Sequence, residues 1–271
     1  MRTAKDILPA DAYESIDFLA EVFKSVGLDI VKMAGKVDHT DKSDGSPVTD
    51  VDIQTEDKIR SAFIQKFPNI AIYGEESGYS GELPELFWLI DPIDGTQSFI
   101  NNVPAYTSMG VLIYKEEAMA GIIYNPSNQE LFMAKSGMGA TKNSAPINLY
   151  DMPLTNVVLT KESILDQMSQ IFSDDGIKCR VTHKGGGYGF TEILNNQADA
   201  RFQLRGGGQL HDYAPGALLI KEAGGDLIPI IEDKYTYRTR SFIACHPNIT
   251  QTLKNKLQQI RILEDPKNTA F

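Results

Sequence analysis

Cysteine is scarce in this chain: Cys179 and Cys245 are the only two among 271 residues, and neither belongs to a CxxC pair. A disulfide framework and a paired-cysteine redox or metal motif are thereby excluded, and both residues read as free thiols in a reducing compartment. A surplus of basic charge is missing as well. Against 26 Lys and Arg stand 36 Asp and Glu, a formal charge of -10, which leaves no electrostatic footprint for nucleic acid. No apolar run approaches the roughly eighteen residues that a membrane span needs. The opening stretch, MRTAKDILPADAYESIDFLAEVF, is broken early by acids and lacks the apolar heart of a secretory leader. The expected location is therefore cytoplasmic, with neither nucleic acid nor membrane as a partner. The four histidines show no zinc-ligand spacing, and there is no internal repeat or low-complexity tract.

What is present is an ordinary globular composition, 42% hydrophobic and 23% charged, enough to fill one large domain or two lobes. Ile16, Leu19, Ala20 and Phe23 recur at spacings of three and four and predict a helix over residues 12–26. Residues 38–47 are polar, with Gly45 and Pro47, and read as a loop. A second helix is predicted over 50–67, with Ile53, Ile59, Phe63 and Ile64 on one face and acids in its first turn.

Short apolar runs follow. Residues 70–73 and 87–90 read as strands, and each runs straight into acids. Further strands are predicted over 106–114, 119–124 and 130–134, then a crossover at 151–155. Beyond it come strands over 157–160, 178–182, 200–204 and 242–244, alternating with helices over 163–172, 188–196, 212–223 and 248–260. The pattern divides into an N-terminal α+β lobe, 1–150, and a C-terminal α/β lobe, 151–271. A layered fold of two sheets covered by helices is expected.

The chemistry concentrates at strand ends. Asp91 and Asp94 close an otherwise apolar strand, separated by Pro92 and Ile93. The fixed φ of proline turns the chain so that both carboxylates can face one spot. Gly95 and Thr96 then open a helix whose free N–H groups form a phosphate seat. Hard divalent cations are held by such carboxylates together with substrate phosphate oxygens. A lone DxxDG is about as often an Asp-capped turn; here the surrounding WLIDPIDGTQSFI favours a site. Gly74-Glu75-Glu76-Ser77 alone would be a solvated turn, but its strand ends in acids just before another strand that ends the same way. Asp212 opens the helix HDYAPGALLIKEAGG, where an N-cap role is the competing reading. The glycines after Arg205 either let backbone approach a ligand or merely link two elements.

GEES, LIDPIDGTQSF and HDYAPGALLIKEAGG, in this order, resemble the inositol monophosphatase family of lithium-sensitive, magnesium-dependent phosphatases. The stretch from Lys42 through Pro47, Val48 and Thr49 to Asp50 resembles the family's K-x-D-x-S-P-V-T-x-x-D segment, and residues 134–143 its G-x-G-A-x-x-N segment. The likeness spans nearly the whole chain. It implies the layered αβαβα sugar-phosphatase fold and hydrolysis of a small phosphorylated metabolite with two to three Mg²⁺ ions. It also implies roles. Glu75, Asp91 and the Ile93 carbonyl hold one cation; Asp91, Asp94 and Asp212 hold a second; Glu76 assists a looser one. Thr96, paired with Asp50, and Glu75 orient the attacking water on a cation. The N–H groups of Gly95 and Thr96 hold phosphate oxygens, with Gly187 and Asp212 also against the substrate. A homodimer, with its interface in the β-rich middle, is implied too.

Three features depart from the inositol-specific pattern. Arg205 stands where a Glu meets the inositol ring, and a guanidinium suits a second phosphate or a carboxylate better. A glycine-rich turn, Gly185 to Gly189, replaces a small-residue segment. His211 stands where the family usually has Trp. Inositol monophosphate is the nominal substrate. A 3′(2′),5′-bisphosphate nucleotide, histidinol phosphate and fructose 1,6-bisphosphate are alternatives, and a non-catalytic binding module is a reading of another class.

Overall fold

Residues 3–43, 45–182, 185–204 and 208–263 are described by the computed structural model. After a helical turn, α1 (Ala4–Ile7), the long helix α2 (Ala10–Met33) buries Ile16, Leu19, Ala20, Phe23, Val26 and Ile30 along one stripe, as an amphipathic helix should. A small hairpin, β1 (Thr40–Asp41) and β2 (Pro47–Val48), leads into α3 (Asp50–Lys66). Thr49 caps α3: its hydroxyl accepts from the N–H groups of Val51 and Asp52, while the Asp52 carboxylate accepts from the Thr49 N–H. This reciprocal box satisfies donors that a helix start otherwise leaves bare.

The buried face of α3 differs from the sequence expectation. Ile59 and Phe63 are inside, but Ile53 and Ile64 are exposed, and the first two turns bury Asp52, Thr55 and Glu56 instead. That end of the helix points at a polar site, so hydrophobic spacing could not find its inner face.

A seven-stranded sheet comprises β3 (Ala71–Gly74), β4 (Leu86–Asp94), β5 (Thr107–Tyr114), β6 (Glu117–Asn125), β7 (Glu130–Lys135), β8 (Ala140–Lys142) and β9 (Ala145–Ile147), in that spatial order. Only β3 and β4 are parallel. Their parallel pairing brings both acid-bearing C-terminal ends to one edge. Between them in sequence and β5, the short helix α4 (Thr96–Ile100) follows β4 directly.

A second sheet has the order β11-β10-β12-β14-β13, from β10 (Val157–Thr160), β11 (Lys178–Val181), β12 (Ala200–Gln203), β13 (Asp226–Pro229) and β14 (Phe242–Cys245). The helices here are α5 (Leu165–Ile171), α6 (Gly186–Leu194), α7 (Leu210–Glu222) and α8 (Thr250–Ile262). α2 and α3 cover one face of the large sheet; α6 and α7 lie between the sheets; α5 and α8 cover the far face of the small one. The five layers are therefore αβαβα. Apolar clusters fill the layers, with Trp88 and Phe63 between the outer helices and the large sheet, Phe132 and Phe190 around α6 and α7, and Phe172 and Phe202 against α5 and α8. Burying each such ring contributes on the order of 2–3 kcal/mol.

The strands β8, β9 and β13 were not expected from the sequence; each has three or four residues, too few for alternation to register. The segment expected as a glycine-rich turn at 185–189 is instead the first turn of α6. No helix among the described residues is long and apolar enough to cross a membrane.

Candidate active site

β4 does not turn at Pro92; the strand continues through Asp94. Asp91 pairs with Met109 and Asp94 with Thr107, so three steps on β4 oppose two on β5. This is a bulge. In a regular strand residues three apart face opposite sides. The extra residue cancels that alternation and turns both carboxylates toward α7. Proline fits there because the bulge asks no ladder hydrogen bond of its nitrogen, and Ser108 Oγ secures the Pro92 carbonyl at 2.8 Å. Gly95 follows at φ 85°, a left-handed conformation that glycine adopts without strain, and starts α4.

At the neighbouring end of β3, the buried Glu56 carboxylate receives the N–H groups of Glu76 at 2.8 Å and Ser77 at 3.0 Å. α3 thus fixes the turn that presents Glu75. α7 brings the last acid. Gln209, not Asp212, is its N-cap; Asp212 is the third helical residue, with Oδ2 accepting from the Gln209 N–H. Gly186 lets α6 approach this point, since a Cβ there would lie 2.0 Å from the Asp212 carbonyl oxygen.

These elements converge. Asp91, Asp94 and Asp212 each offer an oxygen within 4.8 Å of the others, and Glu75, Asp91 and His211 form a second such trio sharing Asp91. Asp91 is fully buried, and its Oδ2 has no hydrogen-bond partner. An orphaned carboxylate oxygen among other acids is costly unless a cation meets it. This donor set fits hard divalent ions.

The electrostatics agree. Burial, then the charges of Glu75, Asp94 and Asp212, push Asp91 well above the usual carboxylate range. Burial and then Asp212 lift Asp94 to about 7, although both its oxygens accept N–H groups, from Gly186 at 2.6 Å and Gly187 at 2.8 Å. Burial lifts Asp212 to about 6, and Glu76 likewise to about 6. Burial opposes the charge of Glu75 too, but the His211 ring and the Lys42 ammonium outweigh it and hold Glu75 low. Lys42 Nζ lies 2.8 Å from both Glu75 Oε1 and Glu76 Oε1.

The acids border a cleft of about 560 Å³, whose wall includes Ile93, Gly95, Thr96, Lys161, Arg201 and Gln203. Two expectations about this cleft change, and a third cannot be placed. The Thr96 hydroxyl has two acceptors at 3.2 Å, Asp52 Oδ1 and the Ile93 carbonyl, whereas Asp50 is exposed. T-x-x-D counted from Thr49 ends on Asp52, and the capping-box spacing was the signal that could have found it. Gly187 does not border the cleft; it is buried, with its N–H spent on Asp94. Arg205 lies outside the described residues. Among the described residues, a guanidinium that borders the cleft is that of the buried Arg201 on β12, bonded to the Gly186 carbonyl and to Gln203, with Phe190 stacked at 4.6 Å. Nothing in the sequence around ARFQ distinguished it from an ordinary strand residue.

A family model described as the inositol monophosphatase family matches residues 12–262. The chain belongs to that family. An inositol-1-monophosphatase of Synechocystis is 28% identical over 262 residues, covering 92% of this chain and 90% of that protein. A histidinol-phosphatase of Chlorobaculum parvum is 35% identical over 167 residues, 58% of this chain and 63% of that one. A solved IMPase/NADP phosphatase complexed with Mg²⁺ and phosphate shares the fold, with a TM-score of 0.78, 17% identity and coverage of 92% and 95%. The protein is thus a phosphoric monoester hydrolase of this family.

Proposed function

We propose that the chain hydrolyses a small phosphate monoester with inositol monophosphate as its nominal substrate, holding cations between Glu75, Asp91, the Ile93 carbonyl, Asp94 and Asp212. The observation that carries this is the convergence of four carboxylates from three elements, with Asp91 common to both trios. Bound divalent ions supply charge neutralisation of the ester, a more acidic water and stabilisation of the leaving oxygen. The chain's own residues do the rest. Asp52, fixed through Oδ2 by Thr49, takes the Thr96 hydroxyl hydrogen on Oδ1. Thr96 Oγ1 is then left to accept from a water beside Glu75, which orients it for attack. The N–H groups of Gly95 and Thr96 hold phosphate oxygens at the start of α4. No nucleophilic Ser or Cys is needed.

Inhibition by lithium, a homodimer and a cytoplasmic location belong to the same reading. A substrate with a second acidic group is favoured by one observation: Lys161, Arg201 and Gln203 line the same cleft. Magnesium-dependent phosphate release would be measured on inositol 1-phosphate, histidinol phosphate, a 3′,5′-bisphosphate nucleotide and fructose 1,6-bisphosphate. A kcat/KM highest for inositol 1-phosphate supports the nominal substrate. A higher value for a bisphosphate supports the second reading, and no release from any of them overturns the enzymatic one.

A further inference from the structure

Glu75 uses its two oxygens differently. Oε1 faces the Lys42 ammonium at 2.8 Å, and Oε2 faces His211 Nε2 at 3.7 Å. His211 Nε2 is also 3.7 Å from Asp212 Oδ1. Both separations are too long for a hydrogen bond. The separation from Glu75 does suit two donors on one ion, because ligands about 2.1 Å from a common cation lie between roughly 3 and 4.2 Å apart. The ring is buried, being only 5% exposed, and belongs to the first turn of α7.

We propose that His211 ligates, through Nε2, the cation held by Glu75 and Asp91, giving that position a mixed nitrogen and oxygen donor set that favours Mn²⁺ or Co²⁺ over Mg²⁺. The proposal rests on the reading that these two acids hold a cation. Glu75, Asp91 and His211 each offer a ligand atom within 4.8 Å of the others. The second, independent observation is Asp91 Oδ2, a buried acceptor with no partner. Magnesium dehydrates reluctantly and is bound through oxygen, whereas a first-row transition ion accepts an imidazole nitrogen, with affinity rising from Mn²⁺ to Co²⁺. The competing role for the ring, a charged partner to the acids, asks for hydrogen-bond contact, and the Glu75 and Asp212 oxygens stand 3.7 Å from Nε2.

The test uses the full chain, stripped with chelator and given one equivalent of Mn²⁺. Pulsed electron paramagnetic resonance should show nitrogen coupling from a coordinated imidazole in the wild type, and none in His211→Gln or His211→Phe. Calorimetry should show Mn²⁺ affinity reduced on the order of ten-fold or more in both variants, with Mg²⁺ affinity changing less. Mn²⁺ bound by the wild type without nitrogen coupling overturns the proposal and leaves the oxygen-ligated phosphatase reading standing. Coupling that survives in both variants overturns it as well, by assigning the nitrogen elsewhere. No Mn²⁺ or Mg²⁺ binding at all overturns the cation reading itself, and this proposal with it.

Discussion

Thr96 Oγ1 lies 3.2 Å from Asp52 Oδ1, and the other oxygen of Asp52 is fixed by the N–H of Thr49 at 2.8 Å. One carboxylate therefore joins the start of α3 to the start of α4. Burial raises its pKa, and the Thr49 and Thr96 hydrogen bonds oppose that rise. Asp52→Asn should cut kcat by about 10²–10³, the scale of losing a positioned proton acceptor, while Asp50→Asn stays near the wild type. Steady-state kinetics on the two variants decide the matter. Equal losses would contradict the assignment. Part of the effect on melting belongs to the cap, about 1 kcal/mol, so kcat and not stability is the measurement that counts.

Asp91 contributes to both acid trios, and its charge is opposed by burial and by three neighbouring carboxylates. Asp91→Asn should abolish turnover and Mg²⁺ binding while leaving the metal-free melting temperature equal to or above that of the wild type, because a buried charge is removed. Retention of more than about a tenth of the activity would contradict a residue shared by two cations.

The layered architecture was legible because its long elements carry strong periodicity. Ile16, Leu19, Ala20 and Phe23 marked α2, and the apolar runs ending in acids marked β3 and β4. Glu75, Asp91 and Asp94 were legible as a candidate site for a different reason: clustered carboxylates at apolar strand ends have few structural excuses, whereas Asp212, in a helix's first turn, was singled out by the family resemblance. What stayed hidden was set by long-range packing. Asp50 and Asp52 flank Val51 on the same helix, and beyond the capping-box spacing from Thr49 it is the meeting of the starts of α3 and α4 that selects Asp52. The bulge that aligns Asp91 with Asp94 arises in the pairing of β4 with β5, a relation no local pattern encodes. Arg201 reads as an ordinary strand residue until β12 is placed beside the cleft. The role of Gly187 was misjudged because its N–H is claimed by Asp94, which is distant in sequence.

Gly186 should tolerate no side chain. An added Cβ would come within 2.0 Å of the Asp212 carbonyl oxygen and 2.9 Å of its Cβ, and backbone atoms cannot step aside as a flexible side chain can. Gly186→Ala is expected to destabilise by roughly 1–3 kcal/mol, the scale of an overfilled interior, and to weaken Mg²⁺ binding by displacing Asp212. Denaturant unfolding and a Mg²⁺ titration check both effects. An unchanged Mg²⁺ affinity would mean that α7 holds Asp212 in place without help from α6.

Magnesium should stabilise the protein strongly at alkaline pH and little at acidic pH. Asp94 and Asp212 are raised from 3.8 to about 7 and about 6. Between the unfolded value near 4 and these folded values, the metal-free native state binds more protons than the unfolded chain. The stability these two groups contribute is therefore fully present below about pH 4 and is lost as pH rises through 6–7. A cation needs the deprotonated carboxylates, so its binding reverses that loss where protons have left and must displace protons where they remain. Apparent Mg²⁺ affinity should accordingly weaken by up to ~ten-fold per pH unit for each proton displaced below about pH 6–7. The measurement is the rise in melting temperature at one fixed Mg²⁺ concentration. It should be largest at pH 8 and shrink toward zero by pH 5. A rise that stays constant across that range would mean the ion binds away from Asp94 and Asp212.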